Sequence, residues 1–151
     1  MASDDSYITT EIPVIRTRED LEGLKKRAMN GSPDAQCAVA DICADDSRAD
    51  FFDAKEAVFW YEKAALQGHT RAQWLFGASY FQGIGAEQDM DAAELWLLKS
   101  AQGGNADGQY TLGGFYFMKP DIVKAQYWIE KAAEQGHGEA KAMFGAINQL
   151  L

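Results

Sequence analysis

Cysteine, histidine, proline and positive charge are all scarce in this chain. Its 151 residues include two cysteines, two histidines and three prolines, with 14 Lys plus Arg against 23 Asp plus Glu. The resulting charge of −9 argues against a nucleic-acid surface, because phosphates demand a basic face. Cys37 and Cys43 fall six residues apart on one predicted helix, so they point about 120° away from each other. A disulfide between them is geometrically poor. No Cys-x-x-Cys occurs, which removes the usual redox and zinc motifs. The two thiols read as small buried or half-buried residues and suit a reducing compartment. No basic start leads into an apolar stretch, and no apolar run is long enough to span a bilayer. The chain reads as cytoplasmic, or as periplasmic if Met1-Ala2-Ser3 stands where a signal was removed.

What the chain has instead is one phrase written three times. It is Trp60-Tyr61-Glu62-Lys63-Ala64-Ala65-Leu66-Gln67-Gly68-His69, then Trp96 to Asn105, then Trp128-Ile129-Glu130-Lys131-Ala132-Ala133-Glu134-Gln135-Gly136-His137. The tryptophans stand 36 and then 32 residues apart. A period in this range means stacked supersecondary units rather than one globular core. At 47% hydrophobic, the chain has enough apolar side chains to bury a sizeable core.

The units align on a small residue in the middle of each first helix: Ala40, Gly77, Gly113 and Gly145. Small residues let neighbouring helices approach closely, and Leu75, Phe76 and Leu112 fill the space between. Each second helix carries alanine, tryptophan and a last alanine at i, i+3 and i+8, which is one helical face. Gly68, Gly104 and Gly136 follow these helices and suit the left-handed position that ends a helix. An incomplete unit precedes them, with Gly31 in register with Gly68 and Pro33 placed in a first turn. The pattern predicts eight helices at roughly 18–30, 33–44, 54–67, 70–82, 90–103, 106–118, 121–135 and 138–150. Residues 1–16 show no helical period and read as an extended or flexible tail, or as a strap; residues 17–151 read as one domain.

These units resemble the Sel-one-like repeats (SLR), relatives of the tetratricopeptide repeat. One unbroken unit carries the pattern on Ala72, Phe76-Gly77, Tyr80, Gly83, Gly85, Asp89, Ala93, Trp96, Lys99, Ala101 and Gly104. Departures are Ala40 for the usual glycine, Cys43 for tyrosine, and the missing Gly-x-Gly in the first and third units. The resemblance covers about residues 20–151. It implies an all-α fold, a right-handed α/α superhelix (solenoid) of about three and a half helical-hairpin repeats after a preceding half repeat. It also implies protein binding rather than catalysis; many bacterial members act as adaptors, regulators or secretion-associated partners.

Chemical motifs are weak by comparison. His69 and His137 occupy equivalent places in the repeat, so a structural part at a helix start or loop is the simpler reading. A histidine-rich metal site is therefore not expected. Gly83-x-Gly85 lacks the third glycine and the preceding strand of a dinucleotide loop. The link at residues 45–53 holds Asp45, Asp46, Asp50 and Asp53, but lacks the glycine and terminal glutamate of an EF-hand loop. It reads as a solvated acidic loop. No catalytic residue, metal or cofactor is expected.

Function must be argued from a site. In this architecture the first helices line the concave face, and residues at helical spacing share a stripe on it. The middle of the stripe is aromatic, with Trp74, Phe81, Tyr110 and Phe117; around it stand Arg71, Asp34, Asp41 and Asp107. An aromatic centre with a charged surround resembles an interface core and rim. The competing reading is that the rings stack on one another, or that tail residues 7–15 cover them. The acidic surroundings fit either plain solubility or a protein partner with a basic surface. At the other end, Phe144, Ile147, Leu150 and Leu151 lie on a helix with no predicted second helix. Self-association through this C-terminal helix, or a lost continuation, would cover them. The leading expectation is an immunity or adaptor protein that masks one effector. A regulatory scaffold acting on a signalling enzyme or receptor is the alternative, and a hydrolase using the acidic loop the third.

Overall fold

The structure, a computed structural model, describes residues 12–150. Among the described residues there are eight α-helices and no strand. They are α1 (Arg18–Met29), α2 (Pro33–Ala44), α3 (Ala54–Leu66), α4 (Thr70–Gln82), α5 (Met90–Gln102), α6 (Ala106–Met118), α7 (Ile122–Glu134) and α8 (Gly138–Leu150). Each helix packs on its neighbours in sequence, and α4 also touches α6. This is the expected α/α solenoid of helical hairpins.

The helix ends are set by local chemistry. Thr17 and Asp20 form a capping box at the start of α1, which satisfies two amide donors reciprocally. Ser32 caps α2 with Pro33 in its first turn. Asp53, Asp89 and Asp121 cap α3, α5 and α7, each accepting from amides of the first turn. Gly31, Gly68, Gly104 and Gly136 hold φ between 86° and 97°, a left-handed conformation that glycine adopts at no steric cost.

The core runs as a file of neighbouring clusters, as expected when each repeat contacts only its neighbours. The first cluster spans Ile15 to Phe76, the second centres on Leu97, Leu112 and Phe115, and the third on Ile129, Ala132 and Ala140. Leu97 and Ile129 are fully buried, and burial of each such side chain contributes about 1.5–3 kcal/mol. They sit against the small residues read as pivots. A Cβ on Gly77 would lie 3.0 Å from Leu97 Cγ, and one on Gly113 only 2.6 Å from Ile129 Cδ1. The glycines therefore permit the close approach of α4 to α5 and of α6 to α7.

Of the expected tail, residues 1–11 lie outside the described residues. Residues 12–16 form neither helix nor strand, and Ile15 is buried in the first cluster. Arg48 donates to the Ile15 carbonyl and lies over the Phe51 ring. The acidic link is thus fastened to the core from inside. Asp45 accepts from the Ser47 amide and hydroxyl, and Asp53 is spent on α3.

Candidate binding face

The expected face belongs to the first helices of the hairpins, α2, α4, α6 and α8; of these α4 touches α6, and Arg71 of α4 reaches Asp41 of α2. Trp74 Nε1 of α4 donates a hydrogen bond to Thr111 Oγ1 of α6, 2.9 Å long. The four aromatic residues expected at the centre are all half-buried. Trp74, Phe81 and Phe117 pack against the second core cluster, and Tyr110 and Phe117 against the third. Each ring is steadied from behind. Phe81 meets the buried Phe115 ring at 6.0 Å, and Tyr110 stacks on His137 at 4.6 Å with the planes 25° apart. Among the described residues, none of the four rings pairs with another of the four. The patch is a row of separate rings, each with one side in the core and another towards solvent.

The charged surround is already engaged with the chain's own groups. His69 is the N-cap of α4: its Nδ1 accepts from the Ala72 amide, and its Nε2 faces Asp34 Oδ1 at 3.2 Å. His137 repeats this before α8, accepting from the Ala140 amide and facing Asp107 Oδ1 at 3.2 Å. Both histidines therefore sit at helix starts, and each joins its cap to the first helix of the preceding unit. Asp41 accepts from Tyr61 Oη at 2.8 Å and pairs with Arg71, whose guanidinium also reaches Cys37 Sγ at 3.3 Å. Burial, with Asp41 adding to it, pushes the Cys37 thiol up to about 11 and the Tyr61 phenol well above its ordinary range. Neither group is a nucleophile at neutral pH.

A cavity of about 240 Å³ opens on this face between α2 and α4, lined by Asp34, Cys37, Asp41, His69 and Arg71, with Ile12 of the strap at its edge. The strap thus reaches the inner face at the first unit. Tail residues 7–11, the remainder of the expected cover, lie outside the described residues. Phe144 and Ile147 of α8 are half-buried against the third cluster. The side chain of Leu150, and Leu151, fall outside the description.

One polar feature was invisible to a reading based on apolar period. Gln36, Gln73 and Gln109 are buried at equivalent places. Each side-chain amide donates to a carbonyl eight residues earlier, on Ala28, Ala65 and Ala101, at 3.0, 3.2 and 3.1 Å. Recurrence of glutamine at one register position was the signal that could have found it. Among the described residues no group of three or more His, Cys, Asp or Glu side chains is placed to hold a metal ion. No helix there is long and apolar enough to cross a membrane.

Comparison with known proteins follows the same register. The Sel1 repeat family matches residues 33–69, 70–105 and 106–137. A solved Sel1 repeat protein from Oxalobacter formigenes superposes with a TM-score of 0.80 at 27% identity, covering 87% of this chain and 39% of that one. Chitin synthase regulatory factor 4 of Schizosaccharomyces pombe is 32% identical over 85 residues, 56% of this chain and 13% of the relative. An uncharacterized protein of Neisseria meningitidis is 31% identical over 130 residues, 85% of this chain and 27% of the relative. The chain spans less than a third of the length of these two relatives.

Proposed function

The chain belongs to the Sel1 repeat family, and we propose that it is a non-catalytic scaffold that holds a segment of a partner protein on its inner face. The observation that carries this reading is the row of half-buried rings, Trp74, Phe81, Tyr110 and Phe117, each backed by the core and open on one side. Rigid, half-desolvated aromatic groups in the centre of a face make strong anchors, worth about 2 kcal/mol or more each when a partner covers them. Their surround favours a partner with a basic surface. Asp34 and Asp107 remain exposed while facing their histidines, and the whole chain carries −9. Complementary fields speed and orient such an encounter.

The finer assignment is an immunity or adaptor protein whose inner face masks one effector. A regulatory scaffold, which alters an enzyme without covering its active site, is the second reading; it draws on the likeness to a chitin synthase regulatory factor. Capture from extract of the native cell, with wild type and Trp74→Ala side by side, tests the shared premise. A protein retained by wild type and lost from the variant supports it, and identical captures reject it. Assay of the captured protein with and without this chain then separates masking from regulation.

A further inference from the structure

The outer face carries a second groove, built from different residues. It lies between the end of α1 and the middle of α3. Ala28, Gln36 and Trp60 form its floor, Met29 and Phe59 its walls, and Lys63 its mouth, around about 380 Å³. The polar floor is already satisfied: Gln36 donates to the Ala28 carbonyl and accepts from Gln67 at 2.8 Å. What remains open is apolar. Met29 is 76% exposed and Phe59 48%, and an unbranched methionine adapts readily to an incoming side chain.

The same positions recur along the array, and their lysines make different contacts. Lys99 lies over the Trp96 ring at 4.4 Å, and Lys131 pairs with Glu134 at 3.0 Å. In the first seam Lys63 lies over the outer ring, Phe59, at 4.8 Å, as Lys131 also lies over Tyr127 at 5.9 Å. Among the described residues Lys63 has no carboxylate partner, and neither has Lys26, one turn before Met29 on α1. Lys63 at the mouth of this apolar slot, and Lys26 one turn before its Met29 wall, are thus two ammonium groups without carboxylate partners in a chain of net charge −9. That local reversal of sign selects against a basic ligand and for an acidic one.

We propose that this groove binds a short acidic segment of a partner protein. One large aliphatic or aromatic side chain enters between Met29 and Phe59, and flanking carboxylates meet Lys63 and Lys26. The site is separate from the inner face, so the scaffold joins two partners of opposite charge.

The test is fluorescence anisotropy on the full chain with two labelled hexapeptides, Asp-Glu-Leu-Phe-Glu-Asp and Lys-Lys-Leu-Phe-Lys-Lys. The acidic peptide is expected to bind saturably, and more weakly as salt rises. Lys63→Glu should weaken it roughly tenfold, the scale of one close charge pair. Phe59→Ser should weaken it as well, and Trp74→Ala should leave it unchanged. Both Lys63 and Phe59 are exposed, so circular dichroism should show both variants folded. Failure of the acidic peptide to bind, equal binding of the basic peptide, or indifference to Lys63→Glu would overturn the proposal. So would a change of mass in equilibrium sedimentation with Lys63→Glu, which would assign the groove to a second copy of this chain.

Discussion

Ser100 and Gly108 are fitted to each other across the α5–α6 contact. A Cβ on Gly108 would lie 2.3 Å from Ser100 Oγ, while that hydroxyl donates to the Thr70 carbonyl at 2.8 Å. The equivalent pairs in the neighbouring units, Ala64 with Ala72 and Ala132 with Ala140, are alanine on both sides. Where the second unit meets the third, one atom's bulk has moved from one helix to the other. Gly108→Ala alone should destabilise by about 1–3 kcal/mol through overpacking, less the gain of up to about 1 kcal/mol in helix propensity. Ser100→Ala alone should cost about 1 kcal/mol, the net value of its hydrogen bond. The double variant recreates the neighbouring pattern and should recover at least half of the summed loss. Urea denaturation of the four proteins measures the coupling; simple additivity would show that the two sites are independent.

The buried glutamines make a graded prediction. Gln109 bonds to the Ala101 carbonyl and also accepts from Gln135 at 2.7 Å, whereas the place equivalent to Gln135 in the second unit is Gly103. Gln73 keeps its bond to the Ala65 carbonyl. Gln73→Leu should therefore cost about 1 kcal/mol, and Gln109→Leu more, because it also removes the bond from Gln135, whose amide then keeps only the Gly104 carbonyl. Equal losses in urea, or a gain from Gln73→Leu, would show that the ladder does not support the array.

The helices were legible because each is stated several times over. Alanine and tryptophan recur on one face, a glycine with positive φ closes α1, α3, α5 and α7, and Ser, Asp or Asn opens α2, α3, α5, α6 and α7. The expected ends lie within one residue of the observed ones. His69 and His137 were readable as helix-start residues for the same reason, their recurrence. The ties across units were not readable. Asp34 to His69 and Asp41 to Arg71 join residues brought together only by stacking, and periodicity specifies a face without specifying what shares it. A buried glutamine interrupts an apolar pattern and looks like surface. The outer groove escaped notice because Phe59, Lys63 and their counterparts repeat, and repetition reads as packing.

Acid should loosen the α5–α6 contact through one carboxylate. Glu94 pairs with Lys119 and accepts from Tyr116 Oη at 2.9 Å. Hydrogen bonding from Lys119, and then from Tyr116, holds its carboxyl below the ordinary 4.5 despite some burial. A pKa depressed by folding gives stability that is fully present above 4.5 and lost as pH falls through the lower folded value. Wild type should therefore lose stability relative to Glu94→Gln as pH falls below about 4.5, the ordinary glutamate range. Thermal melts between pH 7 and pH 3 give the comparison. A constant gap between the two proteins across that range would place the acid sensitivity on other carboxylates.

Trp74 has two tasks, and a second substitution separates them. Its indole N–H ties α4 to α6 through Thr111, while its ring stands in the row on the inner face. Thr111→Val breaks the tie with little change of volume and leaves the ring in place. That variant should lose about 1 kcal/mol of stability yet keep most of its affinity for a partner captured on this face. Trp74→Ala removes the ring as well and should weaken the same complex by about 2 kcal/mol or more, with helicity retained in both proteins. Calorimetric titration of the captured partner into each variant reads the difference. Equal loss of affinity from the two substitutions would mean that the indole acts by holding the helices together, and the partner's anchor would then have to be sought at Tyr110 or Phe117.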